Sequence, residues 1–163
     1  MIAIGSDHGG YVLKQEILAY LDSQGIEYRD FGCYNENAVD YPDIARPVAQ
    51  GVADGTYEKG ILICGTGIGI SIAANKVNGI RAALCHDCFS AQATREHNDA
   101  NILAMGGRVV GPGLAVMIVD TFLHTPFSGD ERHMTVSYTH LDVYKRQDKR
   151  GHYGISHMVF PVR

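Results

Sequence analysis

Short apolar runs that alternate with stripes of helical periodicity leave this chain few ways to fold. Met1 to Gly5 is apolar and ends in Ser6-Asp7-His8-Gly9-Gly10. Leu13, Ile17, Tyr20 and Leu21 follow at i, i+4, i+7 and i+8, the inward stripe of an amphipathic helix. Gly25 stands where such a helix should stop. Glu27 to Phe31 reads as a second strand, and Gly32 to Asp40 is polar and irregular. Pro42 suits the first turn of a helix that Ile44, Val48 and Val52 continue at four-residue spacing. Gly60 to Ile63 reads as a buried strand, Cys64 to Gly69 as a turn, and Ile70 to Val77 as a helix. Arg81 to Leu84 is a strand, Phe89 to Glu96 a helix, and Asn101 to Met105 a fifth strand broken by Gly106-Gly107. Gly111-Pro112-Gly113 opens a last helix through Leu123.

That order predicts an α/β fold: a three-layer, doubly wound sandwich with a five-stranded parallel sheet, Rossmann-like in architecture. In such folds ligands gather beyond the carboxyl ends of the strands. Asp7-His8, Cys64 to Gly69 and Gly106 to Arg108 are thereby expected on one rim, with His97-Asn98-Asp99 and Arg132 converging there.

The chain has 163 residues, 45% hydrophobic and 20% charged, with a formal net charge of -4. That excess of acid argues against nucleic-acid binding, which needs a basic surface. The apolar runs are too short to span a membrane, and the first residues have no basic leader, so the chain is expected in the cytoplasm with its cysteines as thiols. Cys85-His-Asp-Cys88 is a CxxC pair, but no second pair follows at zinc-finger spacing, so no metal is expected.

Glycines in Gly65-Thr66-Gly67-Ile68-Gly69 let the backbone turn and aim several N–H groups at one point, where a phosphate or a transient oxyanion can sit. The pattern is neither a Walker motif, since no Lys-Ser/Thr follows, nor a full dinucleotide fingerprint. Cys64 stands before this turn. A thiol at a helix N-terminus should ionise more easily than a free one and act as nucleophile or proton-transfer base; the plain alternative is a small buried hydrophobe. A cysteine, two histidines, an aspartate and arginines around an anion nest suit a phosphorylated small molecule and proton movement.

Gly5-Ser-Asp7-His8-Gly-Gly, Asp40-Tyr41-Pro42, Ile63-Cys64-Gly-Thr-Gly-Ile-Gly-Ile-Ser71, Ala74-Asn75-Lys76, Gly79-Ile80-Arg81-Ala82 and His97-Asn98-Asp99 together resemble type B ribose-5-phosphate isomerase. That enzyme sits in a wider family with galactose-6-phosphate and allose-6-phosphate isomerases. The match runs in order from Met1 to about Met134.

The resemblance implies metal- and cofactor-free isomerisation of ribose 5-phosphate and ribulose 5-phosphate through a cis-enediolate. By the same resemblance Cys64 is the base, and Gly65, Thr66, Gly67 and Gly69 hold the enediolate oxygen. His97 serves ring opening, Asp7 the sugar hydroxyls, and Tyr41 and Asn98 further sugar contacts. His8, Arg108 and Arg132 grip the phosphate. It also implies a homodimer with a shared site, in which His97, Asn98 and Arg108 come from the neighbouring subunit. A six-carbon sugar phosphate is the close rival, and a non-catalytic sugar-phosphate sensor the more distant one.

The resemblance defines an isomerase domain over 1–134 and stops there. Where a final helix with a second phosphate arginine should follow, Thr135 to Gln147 has no apolar periodicity. Val136 to Gln147 can be encoded by an almost perfect inverted repeat, like sequencing-adapter ends joined head to head. Residues 135–163 are therefore expected to be an atypical, out-of-context tail.

Overall fold

The computed structural model describes residues 1–136. Five strands form one parallel sheet: β1 (Ile2–Ser6), β2 (Tyr28–Asp30), β3 (Lys59–Cys64), β4 (Ala82–Leu84) and β5 (Ile102–Gly106), in the order β2-β1-β3-β5-β4. Among the described residues five helices connect and follow them: α1 (Tyr11–Ser23), α2 (Tyr41–Ala53), α3 (Ile68–Ala74), α4 (Cys88–Asn98) and α5 (Pro112–His124), and 131–136 are helical as well. The expected three-layer sandwich is the observed one.

Strand alternation divides the core in two. Ile4, Ile61, Ile63, Leu103 and Met105 face α1, α4 and α5, meeting Leu13, Ile17, Ile118 and Phe122. Ala3, Leu62, Cys64, Ile102 and Ala104 face α2 and α3, meeting Ala45, Val48, Val52, Ile70 and Ala74. Cys64 is thus the last residue of a buried strand, on the α2/α3 side of the sheet. Between β1 and β3 the winding changes direction, because β1 leads outward to β2 while β3 leads the other way toward β4. A crevice opens at such a point.

Element boundaries move by one to three residues from the sequence reading. The β2 strand is shorter than Glu27 to Phe31, although Phe31 still donates its N–H to the Ile4 carbonyl at 2.8 Å. The α3 helix starts at Ile68 and ends at Ala74, shifted toward the glycine turn, because Gly67 takes the left-handed φ of 78° that lets the helix begin immediately. The α4 helix extends to Asn98, so His97 and Asn98 are helical. The reading of the tail beyond 136, with its missing second arginine, falls outside the described residues.

Two buried charges, Lys14 and Arg95, were not anticipated. Lys14, on α1, is fully buried and donates to both carboxylate oxygens of Asp30, at 2.7 and 2.8 Å, and to the Cys33 carbonyl at 2.7 Å. It ties α1 to the end of β2 and to the loop that leads into α2. Removing one partner of such a pair strands the other's charge. Lys14→Met is expected to cost about 3 kcal/mol in urea unfolding, with Lys14→Met/Asp30→Leu recovering most of it. A single-variant loss below about 1 kcal/mol would mean the pair behaves like a surface bridge.

Candidate active site

Three glycine-bearing turns meet at the carboxyl ends of β1, β3 and β5. Asp7 donates its N–H to the Ile63 carbonyl at 3.0 Å, Gly107 to Cys64 at 2.8 Å and Arg108 to Gly65 at 3.0 Å. A Cβ on Gly10 would lie 2.6 Å from the Ile63 carbonyl oxygen, and one on Gly107 2.6 Å from the Gly9 oxygen. Backbone packs on backbone here, so only glycine fits.

This seam gathers part of the expected set. Asp7 is buried, and its Oδ1 accepts the Gly10 N–H at 3.1 Å. The Nδ1 of His8 accepts the Val39 N–H at 3.4 Å, which leaves Nε2 to carry the ring proton of the neutral imidazole. Cys64 Sγ accepts the Gly67 N–H at 3.1 Å. The Gly67 N–H, expected among the donors to a substrate oxygen, is here directed at the sulfur. Ile68 donates to Thr66 Oγ1 at 3.3 Å. The N–H groups of Gly65, Thr66 and Gly69 have no partner among the described residues. The Tyr41 ring lies over the same loop, since a Cβ on Gly69 would sit 2.8 Å from its Cζ. The loop before α2 thus supplies both the Val39 contact to His8 and, through the N-cap Asp40, the start of the helix that carries Tyr41.

Arg108 stands beside the loop of its own chain, its guanidinium carbon 3.7 Å from a Cβ built on Gly65. The resemblance placed Arg108 in a neighbouring subunit's site; within this chain the β5 turn carries it to its own loop, through the Arg108 to Gly65 backbone bond.

His97, Asn98 and Arg132 do not join this rim within one chain. Helices in a parallel sheet run opposite to the strands, so α4 returns to the rim where β5 begins. Asn98 gives its carbonyl to Arg81 Nε at 3.0 Å, next to the start of β4. Asp99 closes the helix in a left-handed conformation, with one carboxylate oxygen on Arg81 and the other on Arg95, each at 2.9 Å. Arg95 is buried and also donates to the carbonyls of Ala100 and Thr125. Ser128 donates its N–H to the Glu96 carbonyl at 3.1 Å. These bonds fold the 125–136 segment against α4, with Arg132 exposed and the His133 ring on His97 at a centroid distance of 4.4 Å. The expected single rim is thus two clusters at opposite ends of the sheet.

The CxxC segment supplies no further chemistry. Burial, and then the charge of Asp87, push the Cys85 thiol up to about 11, so it stays protonated at neutral pH. Asp87 caps α4 by accepting the Ser90 N–H at 2.7 Å, and that bond holds its carboxyl below the usual range. Between them His86 buries its Nε2 without a hydrogen-bond partner among the described residues.

Sequence reading missed Lys14 and gave His133 no role. Lys14 neighbours the apolar stripe of α1 and carries no motif; its partner Asp30 comes from another strand. For His133 the adjacency to Arg132 was the available signal.

Comparison with known proteins places these residues in context. Residues 2–137 match the family model described as Ribose/Galactose Isomerase. The chain is 60% identical over 135 residues to YwlF of Bacillus subtilis, covering 82% of this chain and 90% of the relative. It is 52% identical over 135 residues to ribose-5-phosphate isomerase B of Escherichia coli, covering 83% of this chain and 91% of the relative. The structure of Clostridium thermocellum ribose-5-phosphate isomerase B superposes with a TM-score of 0.87 at 54% identity, over 90% of this chain and 98% of that one.

The loop geometry gives a direct test. A Cβ on Gly67 would meet Leu84 Cδ1 at 2.5 Å and the Met105 carbonyl carbon at 2.7 Å, on a residue with positive φ. Gly67→Ala is expected to lose at least about 2 kcal/mol in urea unfolding. Gly113→Ala, where a Cβ meets nothing within 4 Å at the start of α5, should be neutral or stabilise by up to about 1 kcal/mol. Equal effects would mean that the loop yields easily.

Proposed function

Because the chain belongs to the ribose/galactose isomerase family, we propose that it interconverts ribose 5-phosphate and ribulose 5-phosphate through a cis-enediolate, with Cys64 carrying the proton. Family membership makes it a sugar-phosphate isomerase. The observation that carries the finer reading is Cys64 Sγ at the end of β3, accepting the Gly67 N–H at 3.1 Å beside three loop N–H groups that have no partner among the described residues.

The steps follow from that arrangement. Ring opening breaks the C1–O4 bond: the anomeric hydroxyl gives up its proton and O4 takes one, a transfer assigned to His97. The Cys64 thiolate then takes the proton from C2. The freed electron pair forms the C1–C2 double bond, and negative charge collects on O1. Loop N–H groups of Gly65, Thr66 and Gly69 stabilise that oxygen; one such donor is worth roughly 2.7–4 kcal/mol. Return of the proton to C1, with the hydroxyl proton passing from O2 to O1, gives the ketose. Asp7 and Tyr41 serve the sugar hydroxyls. His8 and Arg108 grip the phosphate from the same chain as Cys64.

The second cluster belongs to the same reaction if a second copy brings it to the loop. The proposed unit is therefore a homodimer in which one protomer supplies Cys64, Asp7, His8 and Arg108, and its partner supplies His97, Asn98 and Arg132. An uncovered apolar ring supports this: Ile68, Leu84, Phe89 and Val109 are exposed around the carboxyl rim, with Phe89 80% accessible.

Two variants test both halves. Cys64→Ala and His97→Ala should each lose at least about a hundredfold in kcat for ribose 5-phosphate. Mixed under subunit exchange, they should regain about a quarter of wild-type activity, because each mixed dimer then holds one intact site of two. A Cys64→Ala enzyme at wild-type rate removes the base. No recovery on mixing, despite mixed dimers seen by native mass spectrometry, removes the shared site.

A further inference from the structure

His97 has little on its own helix to hold it. Its side chain is 47% exposed. Ala93, one turn earlier, offers only a methyl group. The nearest carboxylate, Glu96, is 4.0 Å away, and its other oxygen accepts from Gln92 Nε2 at 2.8 Å. Its own helix therefore does little to fix the direction of the imidazole, and a proton-transfer group displaced by about 1 Å can lose about a hundredfold in rate.

The wall against it comes from elsewhere in the chain. His133 is held on several sides: Nδ1 lies 2.8 Å from Ser128 Oγ, the Asp130 carboxylate is 3.8 Å away, and its backbone N–H bonds the Asp130 carbonyl at 2.9 Å. Its side chain is only 15% exposed. The segment that carries it is clipped to α4 by Arg95 on the Thr125 carbonyl and by Ser128 on the Glu96 carbonyl. Across this clip the two rings meet at 4.4 Å with 38° between their planes. One ring is fixed and mostly covered; the other is exposed and reachable by a ligand.

We infer that His133 is a positioning residue for His97, fixing the direction of the imidazole that moves the ring-opening proton. The inference rests on the reading of His97 as the ring-opening group. His133 itself, with Nδ1 occupied and little exposed surface, makes no contact with substrate. In the proposed dimer the pair travels as one unit to the partner's loop.

The reaction offers a way to separate positioning from general support. Ribulose 5-phosphate has its O5 esterified, so it has no hydroxyl with which to close a five-membered ring and stays open-chain. Exchange of its C1 hydrogen with deuterated solvent needs the base and the oxyanion donors but no ring opening. Net isomerisation of ribose 5-phosphate needs all three. Both rates are measured on the full chain for His133→Ala, His133→Phe and His97→Ala.

His133→Ala should lose about tenfold in ribose 5-phosphate turnover while C1 exchange changes by less than about threefold. His133→Phe keeps a flat ring against His97 and should recover most of the turnover. His97→Ala should show the same selective loss, larger in size. Turnover unchanged in His133→Ala overturns the inference. So does an equal fall of both rates in His133→Ala beside a selective loss in His97→Ala, for His133 is then a structural prop. Equal falls in His97→Ala strike the ring-opening reading itself and the inference with it.

Discussion

Backbone packed directly on backbone, where the turns after β1, β3 and β5 interlock, is the constraint on which the rest of the rim depends. Side chains at Gly10, Gly106 or Gly107 would collide with main-chain atoms of a neighbouring strand end or turn, and one at Gly9 would crowd the Gly65 backbone at 3.0 Å. With only hydrogen there, the turns after β1 and β5 both donate to the end of β3 and its loop, through Asp7, Gly107 and Arg108, and the three strand ends hold one register. Asp7, Cys64 and Arg108 then project from a rigid frame and owe their mutual placement to main-chain bonds. The arrangement suits an oxyanion site, whose donors act best when they need not reorganise as charge develops.

Much of this frame was legible in the sequence, because glycine pairs at strand ends and period-four apolar stripes each have one physical meaning. Asp7-His8, Cys64 to Gly69 and Gly106 to Arg108 were placed on one rim, and the Tyr41 ring lies over the loop as well. Less legible was where long polar side chains end. The partner of Lys14 is Asp30 on another strand, and nothing in local periodicity announces a lysine that turns inward. Gly67 was grouped with the donors to substrate, yet its N–H points at the Cys64 sulfur, a choice set by one φ angle and by no residue type. Arg108 was assigned to a neighbouring subunit, although the two residues before it are the glycines that fold it back onto its own loop.

At the opposite end of the sheet a different kind of order prevails. Among the described residues no glycine seam exists there. Two arginines, Arg81 and Arg95, share the carboxylate of Asp99, and Arg95 reaches on to the carbonyls of Ala100 and Thr125. Breaking that knot would leave a buried guanidinium unpaired, so the end of α4 is held by charge where the other rim is held by close approach. His97 and Asn98 sit on the outermost turn of this structure, exposed, as groups that serve another surface would be.

Helix direction explains why the residues of the proposed reaction fall into two clusters. In a parallel sheet each connecting helix carries the chain from the carboxyl rim back to the amino rim. With 11 residues, α4 spans roughly 16 Å. A side chain at its end therefore cannot reach a thiol at the carboxyl end of β3 in the same chain. Either the site does without a helix-end acid, or a second copy presents its own helix end to the first copy's loop. The proposed dimer takes the second course, and the exposed apolar ring around the carboxyl rim is the surface on which that copy would rest. Assembly and catalysis are then one requirement, imposed by the handed, one-way winding that made the glycine rim in the first place.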